Sequence, residues 1–159
     1  MACSAPPVQR QLVQGLLEKC PSSPNCIQSE YPKDQEHYFP PIPIPPAYLI
    51  TQKPISLAEQ SSSAVDTSSS VARIDMEKLT SKLRQTLQAM EGAVAQADAN
   101  YIHATFTSSL FRFVDDFEIR IDSASQLLHL RSASRVGYSD LGVNRERAQT
   151  FQSIFTQKP

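Results

Sequence analysis

Tryptophan is absent from this 159-residue chain, glycine occurs only four times, and there is no proline between Val71 and Lys158. The missing tryptophan removes one common stacking and interface anchor. No apolar run is long enough to cross a membrane. A formal net charge of −1 supplies no basic field to attract nucleic acid, so no nucleic-acid partner is expected. CxxC, HExxH, G-x-S-x-G and a phosphate-cradling glycine loop are all missing. No catalytic set, metal or cofactor is therefore assigned.

Proline divides the chain. Eleven of the twelve prolines lie at or before Pro54, and the twelfth is the last residue. Proline brings no N–H to a helix or ladder, so the proline-free part is the expected core. The length suits one modest domain. The reading is a flexible leader at 1–19, then a cysteine loop, Pro-rich strap and Ser-rich linker at 20–70, then an α+β core domain at 71–159. In the strap, "PPIPIPP" (40–46) favours polyproline II, either lying on its own domain or offered to an aromatic groove elsewhere. "AYLITQKPISL" (47–57) has room for a strand, confined to an edge by Pro54.

The three cysteines are Cys3, Cys20 and Cys26. "CPSSPNC" brings Cys20 and Cys26 close enough for a disulfide, with two free thiols as the other reading. Cys3 follows "MA", a small-residue junction like that before a lipidated bacterial cysteine, although the charged and apolar parts of a signal are missing. If a signal has been trimmed, the protein is a lipoprotein of the cell envelope or thylakoid lumen, touching the membrane through its anchor alone. If Cys3 is incidental, the protein is cytoplasmic.

In "DMEKLTSKLRQTLQAMEG", Met76, Leu79, Leu83, Leu87 and Met90 recur at helical spacing. Asp75 can cap this helix, and Gly92 can take the left-handed conformation at its end. Strands are expected at 93–97, 101–108, 117–122 and 127–135. The third alternates Phe117, Ile119 and Ile121 with Glu118, Arg120 and Asp122. The tail turns Ala148, Phe151, Ile154 and Phe155 to one side of a helix. The expected fold is an antiparallel sheet of about four strands with two helices packed on one face, preceded by an irregular Pro/Ser-rich segment.

Two glycines fall in "RVGYSDLGVNR" (135–145), between two arginines. Every basic residue between Leu83 and Gln157 is arginine, and Asp115, Asp116, Glu118, Asp122, Asp140 and Glu146 lie nearby. One reading is internal pairing. The other is a ligand site of Arg112, Arg131, Arg135, Gly137, Asp140, Gly142, Asn144 and Arg145, receiving a small anion near the last helix or docking a protein partner. The expected function is then a non-enzymatic binding or accessory domain. The alternatives are a hydrolase of lipid or phosphoester using Asp115, Asp116 or His103, and a lipid carrier. Adjacent aspartates on a strand face opposite ways and make a poor acid–base dyad. His103 and His129 can share a sheet face, but two histidines without a third ligand are weak evidence for metal.

"CPSSPNC", "YIHATFTSSLFRFVDDFEIRID" and "LLHLRSASRVGYSDLGVNRERAQTF", in this order, resemble the bacterial and plastid domain-of-unknown-function family numbered fourteen ninety-nine. The segments cover roughly the second half of the chain plus the cysteine loop. The longer Pro- and Ser-rich insert before the first helix departs from the family pattern. The resemblance implies a cyanobacterial or plastid-type setting and carries over no catalytic residue.

Overall fold

The structure, a computed structural model, describes residues 10–51, 72–108 and 112–157. Cys3, Pro54 and the Ser-rich stretch at 61–70 lie outside the described residues.

The helical stripe forms α1 (Met76–Ala89), and the Asp75 side chain accepts a hydrogen bond from the Lys78 N–H at its start. Leu79, Leu83 and Leu87 are fully buried. At the other end Glu91, not Gly92, adopts positive φ (63°). Gly92 is needed for space. A Cβ there would lie 2.7 Å from the Phe106 ring and 3.1 Å from the Leu87 carbonyl oxygen. Gly92→Ala is expected to destabilise the protein by about 1–3 kcal/mol, read as a lower urea midpoint, because the ring is packed and the carbonyl cannot retreat.

Four strands follow as an antiparallel meander: β5 (Ala93–Ala97), β6 (Tyr101–Thr107), β7 (Val114–Asp122) and β8 (Leu127–Ser134). The strand expected at 117–122 begins three residues earlier and takes in Asp115 and Asp116. The closing helix is α2 (Val143–Thr156).

The expectation of about four strands falls short, because the proline-rich part joins the sheet. β1 (Cys26–Gln28) and β2 (Ile42–Pro43) both pair with β8 along its outer edge, making six strands. A separate two-stranded sheet joins β3 (Leu49–Thr51) to β4 (Ala72–Ile74). Prolines flanking so short an edge strand cost no ladder bond on the solvent side. Ile42 and Ile44 are buried, and Tyr48 stacks on Phe155 at 5.8 Å, so this strap lies on its own domain.

Period-two alternation sorts the sheet into two faces. Ile102, Ala104, Phe106, Phe117, Ile119, Ile121, Leu128 and Leu130 share one core cluster with Leu79, Leu83, Leu87, Ala148, Phe151 and Phe155 of the helices. Phe117 meets Phe151 at 5.2 Å between ring centroids. Ile27, Phe39, Ile42, Ile44 and Tyr48 complete the same cluster. The opposite face carries the charge.

Candidate functional site

Strand register puts Tyr101, His103, Asp116, Glu118, Arg120, His129, Arg131 and Arg135 on the face away from the helices. Such a polar face is ordinarily solvated. Here Asp116 is fully shielded, and Glu118, His103, Tyr101 and Arg131 are all buried. The cover is residues 10–30. Arg10 reaches Asp116 Oδ2 at 2.9 Å and Glu18 at 2.9 Å. Glu30 receives Arg120 Nε at 2.6 Å and lies 3.2 Å from His129 Nδ1.

The layer is internally matched. Asp116 accepts from His103 Nε2 at 2.8 Å and from Arg135 at 2.8 Å, besides Arg10. Burial alone would push the Asp116 carboxyl up, but hydrogen bonds from His103, Arg135 and Arg10 more than offset it and hold the group well below the usual carboxylate range. Glu118 accepts from the Tyr101 hydroxyl at 2.7 Å and from Arg131 at 2.8 Å. Burial, followed by the neighbouring Glu118 charge, raises the Tyr101 hydroxyl far above its ordinary value. Among the described residues, the buried His129 Nδ1 and Arg131 Nε make no hydrogen bond.

Asp115 and Asp116 do point to opposite faces. Asp115 pairs with Arg147 of α2 at 2.8 Å, and Arg147 also lies over the Phe106 ring at 4.7 Å. His103 and His129 share the charged face, but no group of three or more His, Cys, Asp and Glu side chains among the described residues converges as a metal would require. The Cys20–Cys26 disulfide forms and packs on Ala133. Closing so short a loop contributes about 2 kcal/mol.

The eight residues expected to form one ligand site divide between separate tasks. Arg131 and Arg135 are held in the ionic layer. Arg145 donates to the carbonyls of Tyr38 and Glu36. Arg112 is exposed and adopts positive φ. Gly137, Asp140, Gly142 and Asn144 build the corner between β8 and α2. Gly137 and Gly142 both take φ of 87°, which glycine adopts without a Cβ clash. Asp140 accepts from the N–H groups of Gly142 and Asn144, so a carboxylate of the chain itself already holds the start of α2. Asn144 is fully buried. Its amide nitrogen faces the Asn25 carbonyl, Ser134 Oγ and Asp140 Oδ2, and its oxygen accepts from Ser132 and Arg147. From the cysteine loop, Asn25 donates to the Gly137 carbonyl at 2.6 Å.

This framework displays apolar side chains. Leu141 is 95 % exposed and Tyr138 74 %, with Val136 and Val143 also exposed. Phe113, another exposed ring, precedes the point where the Arg135 N–H donates to the Val114 carbonyl, so it stands beside the same corner. Leu141 adopts φ of 56°, the left-handed region that a leucine enters at a cost of about 1 kcal/mol. Val143 also borders a groove of about 290 Å³ between the helices, floored by Ala89, Met90, Phe106 and Ile154.

Sequence reasoning missed Arg10, Glu18, Asn25, Glu30 and Tyr101. A signal existed for the first, second and fourth. The charged face of β7 and β8 is too rich in paired acids and arginines to be a simple solvated surface, and the amino-terminal part carries the complementary charges.

No curated protein matches this chain. A family model described as "Protein of unknown function (DUF1499)" matches residues 16–155, a span that includes the cysteine loop, all eight strands and nearly all of α2. The chain belongs to the DUF1499 family.

Proposed function

We propose that this domain is a non-enzymatic binding module that docks a protein partner through the 136–143 corner, with the neighbouring groove as an anchor pocket. The observation that carries this reading is Leu141, a large apolar side chain held almost fully exposed in an unfavourable backbone conformation beside the hydrogen-bond network of Asp140 and Asn144. Exposed apolar residues on a rigid, strained corner suit a preorganised contact, since little ordering entropy remains to be lost on binding. The small-anion version of the reading has less support, because Arg131, Arg135 and Arg145 already have partners within the chain. The hydrolase version has less again, since Asp116 and His103 are shut off from solvent and bonded to each other. A disulfide suits an oxidising compartment, which favours the cell envelope or thylakoid lumen.

Leu141→Asp tests the proposal. The variant is expected to keep its stability within about 0.5 kcal/mol, as exposed substitutions do, while binding of a protein crosslinked to wild type at this corner falls at least about tenfold. Equal capture of that protein by wild type and variant would reject the corner as the docking surface.

A further inference from the structure

We propose that the Cys20–Cys26 disulfide is a redox latch, whose reduction releases residues 10–22 from the sheet and uncovers the ionic layer while the rest of the fold stays assembled. The two cysteines are held very differently. Cys26 belongs to β1, where it pairs with Ala133, and the Ser134 N–H donates to the adjacent Asn25 carbonyl. Cys20 lies in no helix or strand, and the sulfur–sulfur bond is its tie to the sheet. Residues 10–19 add no strand to the sheet. Their one backbone bridge, Val13 with Leu16, closes a turn of the segment on itself.

What else holds this segment is sparse. Leu17 is buried, its N–H donates to Glu30, and its carbonyl accepts from the Tyr31 hydroxyl at 3.4 Å. Arg10 and Glu18 make the ionic contacts, and their side chains are 23 % and 51 % exposed. The release has a natural limit. The Ser23 carbonyl faces His37 Nε2 at 3.1 Å and Ser23 Oγ donates to Asn25, so the chain is anchored again from residue 23 onward.

The reductant has a route to one sulfur and not the other. Cys20 keeps 6 % exposure and lines a surface depression of about 600 Å³ together with Lys19, Lys33, Tyr31, Asp34 and Glu36, whereas Cys26 keeps 1 %, so attack from the Cys20 side is the shorter way in. A thiolate of a protein dithiol attacks the Cys20 sulfur, the sulfur–sulfur bond breaks, and Cys26 leaves as a thiolate that takes a proton. The second thiol of the reductant resolves the mixed disulfide and frees Cys20 as a thiol. Two electrons and two protons pass to this chain, and the reductant ends as its own disulfide. With the segment released, Asp116 keeps His103 and Arg135 but loses Arg10. Arg131 keeps Glu118 but loses Glu18, and its unbonded Nε comes within reach of solvent.

Hydrogen exchange on the full chain, with and without dithiothreitol, decides the matter. The expected result is exchange at least tenfold faster at the Leu16 and Leu17 amides on reduction, with new tryptic cleavage after Lys19. Protection in α1, α2 and the β6–β8 meander should stay unchanged. The Cys20→Ser, Cys26→Ser double variant should match the reduced profile without reductant, and if it does not fold, reduction of the folded wild-type chain still gives the answer. Unchanged protection of the Leu16 and Leu17 amides would overturn the proposal. So would loss of protection in both helices together with the segment, since the disulfide would then be a staple for the whole fold.

Discussion

Asp116→Asn is expected to destabilise the protein by about 3–5 kcal/mol at neutral pH, measured as urea unfolding followed by circular dichroism. The loss is large because one carboxylate satisfies three cationic or proton-donating groups at once: Arg10, His103 and Arg135. An asparagine of the same shape offers one oxygen, and its NH2 meets the guanidinium donors head-on. Arg135 then loses its counter-charge in a poorly solvated place, and Arg10 is left with the exposed Glu18. The pH dependence identifies the source. The folded protein holds the Asp116 carboxyl well below its ordinary value, so this stabilisation is complete above about pH 4 and declines as pH falls from there toward the folded value. The gap between wild type and variant should therefore narrow between about pH 4 and pH 2. A gap that stays constant over that range would assign the effect to packing and not to the carboxylate.

Asn144→Ala is expected to cost about 2–4 kcal/mol and to loosen the displayed corner. Asn144 ties α2 to β8, to the cysteine loop and to Asp140 at once. Removing its amide leaves the Asn25 carbonyl and Ser132 with fewer partners in a closed environment, at about 1–3 kcal/mol for each group left unsatisfied. Backbone exchange at 137–142 should rise with the drop in urea midpoint, while the β6–β7 ladder keeps its protection at denaturant concentrations below the transition. A variant with full stability and a rigid corner would show that Asp140 and the glycines suffice to hold it.

The helices and the meander were legible because their apolar residues recur with one period over many positions. The stripe from Met76 to Met90 is α1, and the alternation from Phe117 to Asp122 is the heart of β7. β3 forms inside the stretch expected at 47–57, whereas β1 and β2 were not legible, for the opposite reason. β1 has three residues and β2 has two, so neither is long enough to display a period, and the prolines around Ile42 suppress the strand signal locally. Only pairing with β8, far along the chain, gives them their form. The end of α1 shows a different gap. A glycine after a helix usually supplies the left-handed turn, but here Glu91 does so and Gly92 makes room for Phe106, a contact no local pattern encodes. For the candidate site, the arginines and acids were visible but their partners were not. Sequence spacing says that Arg131 and Arg135 share a face, and it does not say that Arg10 and Glu18 lie across it. The corner at 135–145 was singled out by its glycines. Its exposed surface turned out to be apolar, and its arginines turned inward or onto neighbouring carbonyls.

The docking of β1 and β2 onto β8 sets an order of events during synthesis. Cys26 finds Ala133, and Ile42 finds Leu128, only after β8 has left the ribosome. Contacts of such long sequence separation form late and slow the final step. Until β8 emerges, β1 and β2 have no ladder to join and wait as open chain.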